Sequence, residues 1–402
     1  MKILWVKAGK LLPVDTGGKI RSYNILRHLA RKHEVTLLSY YGGPPDPDYD
    51  RSIGEHLPGA QTMHTAAPEG GLSQRLHYIR HLPSAAPYAV QKFTHPAVRQ
   101  RVNQWLHENR FDVSVCDFLS ASLNFPHRFS SPRVLFQHNV ETVLWRRMAQ
   151  TEKSPLLKLS YTLEANKMAR YEKNALRRFP RIIAVSQQDR DEMLKLDSAS
   201  QITVVPTGVD TAQYQVAPPA AATPPTIVFV GSMDWEPNID AMEYFCHQIW
   251  PAVLASYPDA RFQIVGRNPH PRVQALQSSS VAVTGTVSSV PDFLRPATVV
   301  IVPLRIGGGT RLKIFEAMAM GKAVVSTTIG AEGLDVTPDR DLILADDPEC
   351  FAASILALIR DSGLRRNYEQ AAAVLAAGYD WSEITASFAE VLREVAASFS
   401  VG

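Results

Sequence analysis

Short apolar runs alternate with longer amphipathic stretches through the first half of the chain. Residues 1–6 (MKILWV) read as a buried strand; a loop with Gly17 and Gly18 follows, then a helix marked by Ile25, Leu26 and Leu29. Residues 35–39 make a second apolar run, and 113–116, 134–136 and 182–185 make later ones. Short apolar runs separated by helical stretches predict βαβ units around a parallel sheet.

The pattern breaks at residues 216–225 (VAPPAAATPP), where four prolines and four alanines make a stiff connector. It then restarts. Residues 226–230 end in Gly231, 261–265 in Gly266 and 281–283 near Gly285, with further runs at 298–303 and 323–326. The prediction is an α/β chain of two Rossmann-like domains, residues 1–215 and 226–380, joined by the 216–225 linker. Residues 381–402 are periodic at Ile384, Phe388, Val391 and Val395, an amphipathic helix expected to cross back to the N-terminal domain. Open α/β sheets bind ligands at the carboxyl ends of their strands, so the two parallel sheets are expected to face an interdomain cleft.

Composition narrows the class. The chain has 402 residues, 45% hydrophobic and 20% charged, the balance of a soluble globular protein of about two domains. A net charge of +3 gives no case for nucleic acid as a partner. The cysteines, Cys116, Cys246 and Cys350, are scattered and odd in number, which argues against a disulfide framework or zinc site and fits a reducing compartment. No apolar run approaches the ~20 residues of a membrane span. The opening strand is too short for a signal peptide, and a cytoplasmic location is expected.

The segment with most chemistry is 302–327, VPLRIGGGTRLKIFEAMAMGKAVVST. A buried strand ends at Pro303. Gly307, Gly308 and Gly309 allow a tight turn and close approach to a ligand. A helix is predicted from Thr310 to Met320, closed by Gly321. Amide groups at a helix start bind phosphate, and Arg311 and Lys313 add positive charge where it opposes the helix dipole, which suggests an anion between them. Glu316, one turn further, could accept hydrogen bonds from ribose hydroxyls.

These residues resemble the donor-site signature of the family 4 (GT4) retaining glycosyltransferases, which have the GT-B fold. Other segments agree in order: 205–210 (VPTGVD), 227–240 (IVFVGSMDWEPNID), 262–266, 283–287, 184–189 (AVSQQD) and 137–141 (QHNVE). The resemblance implies a transferase moving a sugar from a nucleotide-diphosphate donor to a saccharide or lipid-linked acceptor, with retention, in polysaccharide or glycolipid assembly. It places Glu316 on the donor ribose, with Gly309, Thr310 and Arg311 presenting amides to the diphosphate. His138 would lie beside the transferred sugar, Gly17 and Gly18 near the donor phosphates and acceptor, and Gly285 to Val287 near the base. Gly231 and Gly266 end the first two strands of the donor domain.

The sequence departs from the family in four places, one of them mild: Thr207 stands where asparagine is usual. Gly308 stands where the first glutamate of E-x7-E belongs. The arginine and lysine of the first donor-domain loop fall at Ser232 and Asn238. With both cations lost, Arg311 and Lys313 are the expected substitutes for stabilising the leaving diphosphate. No cofactor and no metal are expected; Asp46 and Asp48 form a DxD triplet that reads as a solvated loop, and Asp346 with Asp347 as a surface turn.

Asp117 follows a strand and could orient an acceptor hydroxyl or cap the strand end. Residues 146–181 hold ten Lys/Arg against three Glu, with Leu156, Leu157, Leu159 and Leu163 interleaved with Lys153 and Lys158. Such a stretch suits the anionic inner face of a membrane as a peripheral contact, or a plain solvated helix. The rival functions are a sugar-nucleotide epimerase of the same fold, a catalytically silent binding subunit, and a nicotinamide dehydrogenase, the last lacking G-x-G-x-x-G after a strand.

Overall fold

The computed structural model describes residues 1–65, 77–81, 83–127, 131–152, 154–216, 224–306 and 311–400. Lys153, most of the 216–225 connector, and Gly308, Gly309 and Thr310 lie outside the described residues. Two compact units are present, Met1–Pro206 with Ile384–Gly402, and Thr207–Glu383.

The first unit holds a seven-stranded sheet in the order β3-β2-β1-β4-β5-β6-β7, every pair parallel. Its strands are β1 (Lys2–Ala8), β2 (Glu34–Tyr41), β3 (Ala60–His64), β4 (Val113–Asp117), β5 (Arg133–Phe136), β6 (Arg181–Ala184) and β7 (Ile202–Val204). Its longer helices are α1 (Gly17–Leu29), α2 (Pro47–His56), α3 (Pro96–His107), α4 (Glu141–Thr151), α5 (Pro155–Arg178) and α6 (Gln187–Leu196). The edge strands β3 (AQTMH) and β7 (ITV) are not among the predicted ones. Neither contains a fully buried residue, so neither leaves an apolar run to read.

The second unit repeats the plan with six parallel strands in the order β10-β9-β8-β11-β12-β13. These are β8 (Thr226–Val230), β9 (Arg261–Val265), β10 (Val281–Val283), β11 (Val299–Val302), β12 (Val324–Ser326) and β13 (Ile343–Leu344). Helices α7 (Glu236–Tyr244), α8 (Leu312–Ala319), α9 (Pro348–Arg360) and α10 (Ser362–Ala377) pack on it. The two-residue β13 was also unforeseen. The last helix, α11, runs Trp381–Ser400, and Phe388 on it lies 5.5 Å from the Trp5 ring and 5.1 Å from Phe136 in the first unit.

One local expectation needs correction, and two acidic residues gain a local role. Helix α8 starts at Leu312, not Thr310, because Arg311 has a non-helical backbone (φ −90, ψ 44); it ends at Ala319, with Gly321 at φ +64 two residues later. Asp46 is the last loop residue before α2, where its carboxylate accepts from the Tyr49 amide as the N-cap and pairs with Lys10 at 2.8 Å, while Asp48 lies exposed in the first turn of that helix. Asp347 likewise caps α9 by accepting from the Cys350 amide.

Each sheet has one switch point, where the strand order reverses: between β1 and β4, and between β8 and β11. Side chains at the carboxyl ends there face a natural binding crevice. Gly266, directly after β9, lets the backbone that follows β8 approach closely, since a Cβ on it would sit 1.6 Å from the Gly231 carbonyl oxygen. Gly266→Ala should therefore cost about 3 kcal/mol, backbone having to move to admit the methyl; urea denaturation of the purified variant measures it.

Candidate active site

Lys7 near the end of β1 and Asp117 at the end of β4 are register partners across the first switch point. Side chains alternate along a strand, so Trp5 and Lys7 share a face and both reach the Asp117 carboxylate. Trp5 Nε1 donates to Oδ2 at 2.8 Å and Lys7 Nζ at 3.1 Å. His138 follows β5 and binds Oδ1 through Nε2 at 2.7 Å. Lys7 also donates to Ser22 Oγ at 3.3 Å, and Ser22 Oγ donates to the Gly18 carbonyl.

The other imidazole nitrogen meets Arg21. Arg21 NH1 lies 2.9 Å from His138 Nδ1. A guanidinium can only donate, so Nδ1 accepts and the proton sits on Nε2, facing the carboxylate. The electrostatics agree. Burial drives His138 down to about 4; Asp117 opposes this, while Arg21 and Lys7 add to it. Burial likewise lowers Arg21 to about 10 against the pull of Asp189 and Asp117. Burial alone would raise Asp117, but Lys7 and His138 outweigh it and hold the carboxyl far below its ordinary range. Both imidazole nitrogens are engaged, so His138 is a fixed neutral group. Gly17 and Gly18 open α1 beside it; a Cβ on Gly18 would meet Nδ1 at 3.7 Å.

Phe118, next to Asp117, has φ 74 and ψ 160, a region that normally requires glycine and costs a larger residue about 1–3 kcal/mol. Its amide is held by the Phe136 carbonyl at 2.8 Å, and its ring lies edge-on to His138 at 5.4 Å. Beneath the 137–142 loop, the fully buried Glu172 of α5 accepts from Gln137 Nε2 (3.0 Å), the amides of Glu141 (3.1 Å) and Thr142 (2.8 Å), and Thr142 Oγ1 (2.6 Å). Burial lifts its carboxyl to about 7, against the Thr142 bonds that favour the ionised form.

In the second unit, Gly231 follows β8 and Asn238 lies in α7, 2% exposed, its Nδ2 donating to the Ser232 carbonyl at 2.8 Å. Lys313, in the first turn of α8, donates to Asn238 Oδ1 at 3.0 Å, and its ammonium sits 4.2 Å from the Phe229 ring centre. Burial and then Arg311 push Lys313 down to about 7, opposed by Glu316. Burial raises Glu316, while the Tyr214 hydroxyl, which donates to it, and Lys313 hold it down. Arg311 turns elsewhere: it is 2% exposed, and NH2 donates to the Ile329 carbonyl at 2.9 Å with Glu332 at 3.9 Å. Gly285 has φ +71 at the end of β10, and Val287 packs against the apolar core.

The structure therefore brings Gly18, Asp117 and His138 together in one unit, and Gly231, Asn238, Lys313 and Glu316 in the other. Sequence reasoning missed Trp5, Lys7, Arg21, Glu172 and Tyr214. Arg21 and Ser22 lie three and four positions after Gly18 on the buried stripe that continues to Ile25 and Leu29, a spacing that could have flagged them. Among the described residues, no group of three His, Cys, Asp or Glu is placed to hold a metal ion.

Two family models match the chain: "Glycosyltransferase Family 4" over residues 16–213 and "Glycosyl transferases group 1" over residues 224–361. A phosphatidyl-myo-inositol mannosyltransferase of Mycolicibacterium smegmatis is 26% identical over 311 residues, 75% of each chain. Among solved structures, a sucrose-phosphate synthase of Thermosynechococcus elongatus superposes with TM-score 0.72 at 17% identity, covering 99% of this chain and 100% of that one. HepE of Anabaena, described in complex with UDP, superposes at 0.66 with 16% identity, covering 98% and 100%. At these identities the structural likeness speaks to the fold.

With the folded pKa of His138 below its ordinary 6.5, the neutral imidazole contributes stability that is complete above pH 6.5 and is lost as pH falls toward 4, about 3 kcal/mol in all. Urea denaturation between pH 7 and pH 4 should show this slope, reduced in His138→Gln. Nitrogen-15 NMR should find the Nε2–H tautomer with no titration between pH 5 and 8; a midpoint near 6.5 contradicts the assignment.

Proposed function

The chain belongs to the GT4-type glycosyltransferases of the GT-B fold, and on that premise we propose that it moves a sugar from a nucleoside-diphosphate donor to a saccharide or lipid-linked acceptor, with retention, in polysaccharide or glycolipid assembly. The observation that carries the reading is the grouping of Gly231, Lys313 and Glu316 at the β8/β11 switch point, where a parallel sheet binds ligands. Glu316, in contact with the Tyr214 hydroxyl, is the acceptor for ribose hydroxyls. Positive charge beside it stabilises the diphosphate as it leaves, a role that a divalent metal fills in other transferases, so the reading needs no metal. On the first unit, the Asp117–His138–Arg21 chain holds a neutral imidazole in one orientation for the transferred sugar and the acceptor hydroxyl. Attack on the donor face that the diphosphate leaves, with that diphosphate taking the proton, gives retention without a carboxylate nucleophile.

A lipid-linked acceptor fits a further feature of the first unit. Leu156 is 78% exposed, Leu159 58%, Leu163 50% and Leu157 47%, all on α5, with Leu144 and Met148 of α4 also exposed. Arg146, Arg147 and Lys158 lie on the same two helices. A single leucine in water is ordinary, but a patch of this kind with basic neighbours suits an anionic bilayer surface. No described helix is long and apolar enough to cross a membrane. The Mycolicibacterium smegmatis relative is named for transfer to a phosphatidyl lipid.

A thermal-shift panel of UDP, GDP, ADP, dTDP and NAD tests the donor site. One nucleoside diphosphate at 100 times its Kd should stabilise the protein by about 2.7 kcal/mol, and Glu316→Ala should remove most of that gain. A shift by NAD alone, or by none, defeats the reading. With the matching sugar nucleotide, turnover should persist in EDTA, and product NMR should show the donor's anomeric configuration. In co-sedimentation, vesicles containing phosphatidylglycerol should retain the protein and neutral phosphatidylcholine vesicles should not. The Leu156→Glu/Leu159→Glu variant should lose that retention.

A further inference from the structure

Ser232 and Asn238 stand on the segment between β8 and α7 and within the first turn of α7, at the second switch point. Neither carries charge, yet each is touched by a cation arriving from another element. Lys313, from the first turn of α8, donates to Asn238 Oδ1 at 3.0 Å. Arg267, directly after Gly266 at the end of β9, donates through Nε to Ser232 Oγ at 3.3 Å. An ammonium comes to one uncharged position and a guanidinium to the other, and these are the two places where the family resemblance led us to expect a lysine and an arginine.

Several details show that Lys313 is built in rather than draped over the surface. A Cβ on Gly231 would lie 2.8 Å from Asn238 Nδ2 and 2.9 Å from Lys313 Nζ, so the absence of a side chain there is what admits the ammonium. The ammonium rests on the face of Phe229, a buried ring of β8. Among the described residues no carboxylate lies within ion-pairing distance of Lys313 Nζ, so its one described hydrogen bond leaves its charge without a neutralising anion. A cation in the first turn of a helix also opposes the helix dipole, an arrangement that favours an anion alongside. Two other cations of the second unit differ from Lys313 in each being paired with a carboxylate. Arg305 is held by both Asp240 carboxylate oxygens, and Arg311 points to the Ile329 carbonyl and Glu332.

We propose that Arg267 and Lys313 are relocated counterparts of the missing loop cations and together bind the donor diphosphate, with Ser232 and Asn238 as the brackets that aim them. This rests on the transferase reading and assigns the phosphate role to Lys313 and Arg267 rather than to Arg311. The diphosphate lies where the strand ends of β8 and β9 meet the start of α8. Its charge is neutralised by one planar guanidinium and one compact ammonium, approaching from different secondary-structure elements. As the sugar–phosphate bond breaks, the developing charge on the diphosphate is met by groups already in place.

The test is calorimetric titration of the full chain with UDP, GDP, ADP and dTDP and, for the one that binds, with its nucleoside. Lys313→Leu and Arg267→Ala should each weaken the diphosphate by about ten- to a hundredfold while leaving the nucleoside unchanged. Returning the charge to the loop separates a phosphate role from a packing role. Asn238→Lys in the Lys313→Leu background, and Ser232→Arg in the Arg267→Ala background, should each recover diphosphate affinity. Wild-type diphosphate affinity in both single variants, or equal loss for nucleoside and diphosphate without recovery in the swapped variants, overturns the inference and leaves the transferase reading standing. Failure of all four diphosphates to bind the wild-type protein overturns both.

Discussion

The Asp117 carboxylate is 1% exposed and sits where the strand order of the first sheet reverses. An isolated carboxylate in that position costs several kcal/mol, so the fold must surround it with donors. It does so with three: the Trp5 indole, the Lys7 ammonium and the His138 imidazole. Each donor has a second job. Trp5 anchors Phe388 of the terminal helix, Lys7 ties the strand to Ser22 of α1, and His138 presents its remaining nitrogen to Arg21. One buried charge therefore fixes the registration of β1, β4, β5 and α1 at the point where a ligand would be met.

Arg21 decides the state of the histidine. A guanidinium can neither accept a proton nor release one at ordinary pH, so the imidazole facing it must offer a lone pair. The carboxylate on the other side takes the N–H. The histidine is then a neutral group held in one orientation from both ring nitrogens. Below it, Glu172 gathers the backbone of residues 141 and 142 and the Gln137 amide, so the loop bearing His138 is held from α5. The same helix carries the exposed leucines in its first half and this buried carboxylate in its second.

The second unit solves a related problem with the opposite sign. A strand-end glycine leaves room for an ammonium, an asparagine orients it, and an aromatic ring supports it. Glu316, three residues after Lys313 on α8, meets the Tyr214 hydroxyl. The distribution of charge is thus set by backbone approach: Gly266 admits the Gly231 carbonyl, and Gly231 admits the Lys313 ammonium.

Much of this was legible in the residue order. Fully buried parallel strands leave unbroken apolar runs, which is why β4, β11 and β12 stand where the runs predicted them, while the strands β3, β7 and β13, half in solvent, left no such mark; the edge strand β10 was legible only because its three residues, VAV, are all apolar although Ala282 is exposed. The glycine run at 307–309, with Glu316 in the helix that follows, marked the segment expected to hold the donor, and the lack of charge at Ser232 and Asn238 could be seen directly. What the sequence could not rank was Arg311 against Lys313. Arg311 stands just before α8 with a non-helical backbone and Lys313 in its first turn, so their side chains leave in different directions, and only packing decides which faces the strand ends. Nor could it pair Lys7 with Asp117 or Arg21 with His138, since these partners are more than a hundred positions apart and meet only through the order of strands in the sheet. Sequence determines which side chains can carry charge; the tertiary structure decides which of them are brought to the same buried point, because there each unpaired charge must find a partner or be excluded.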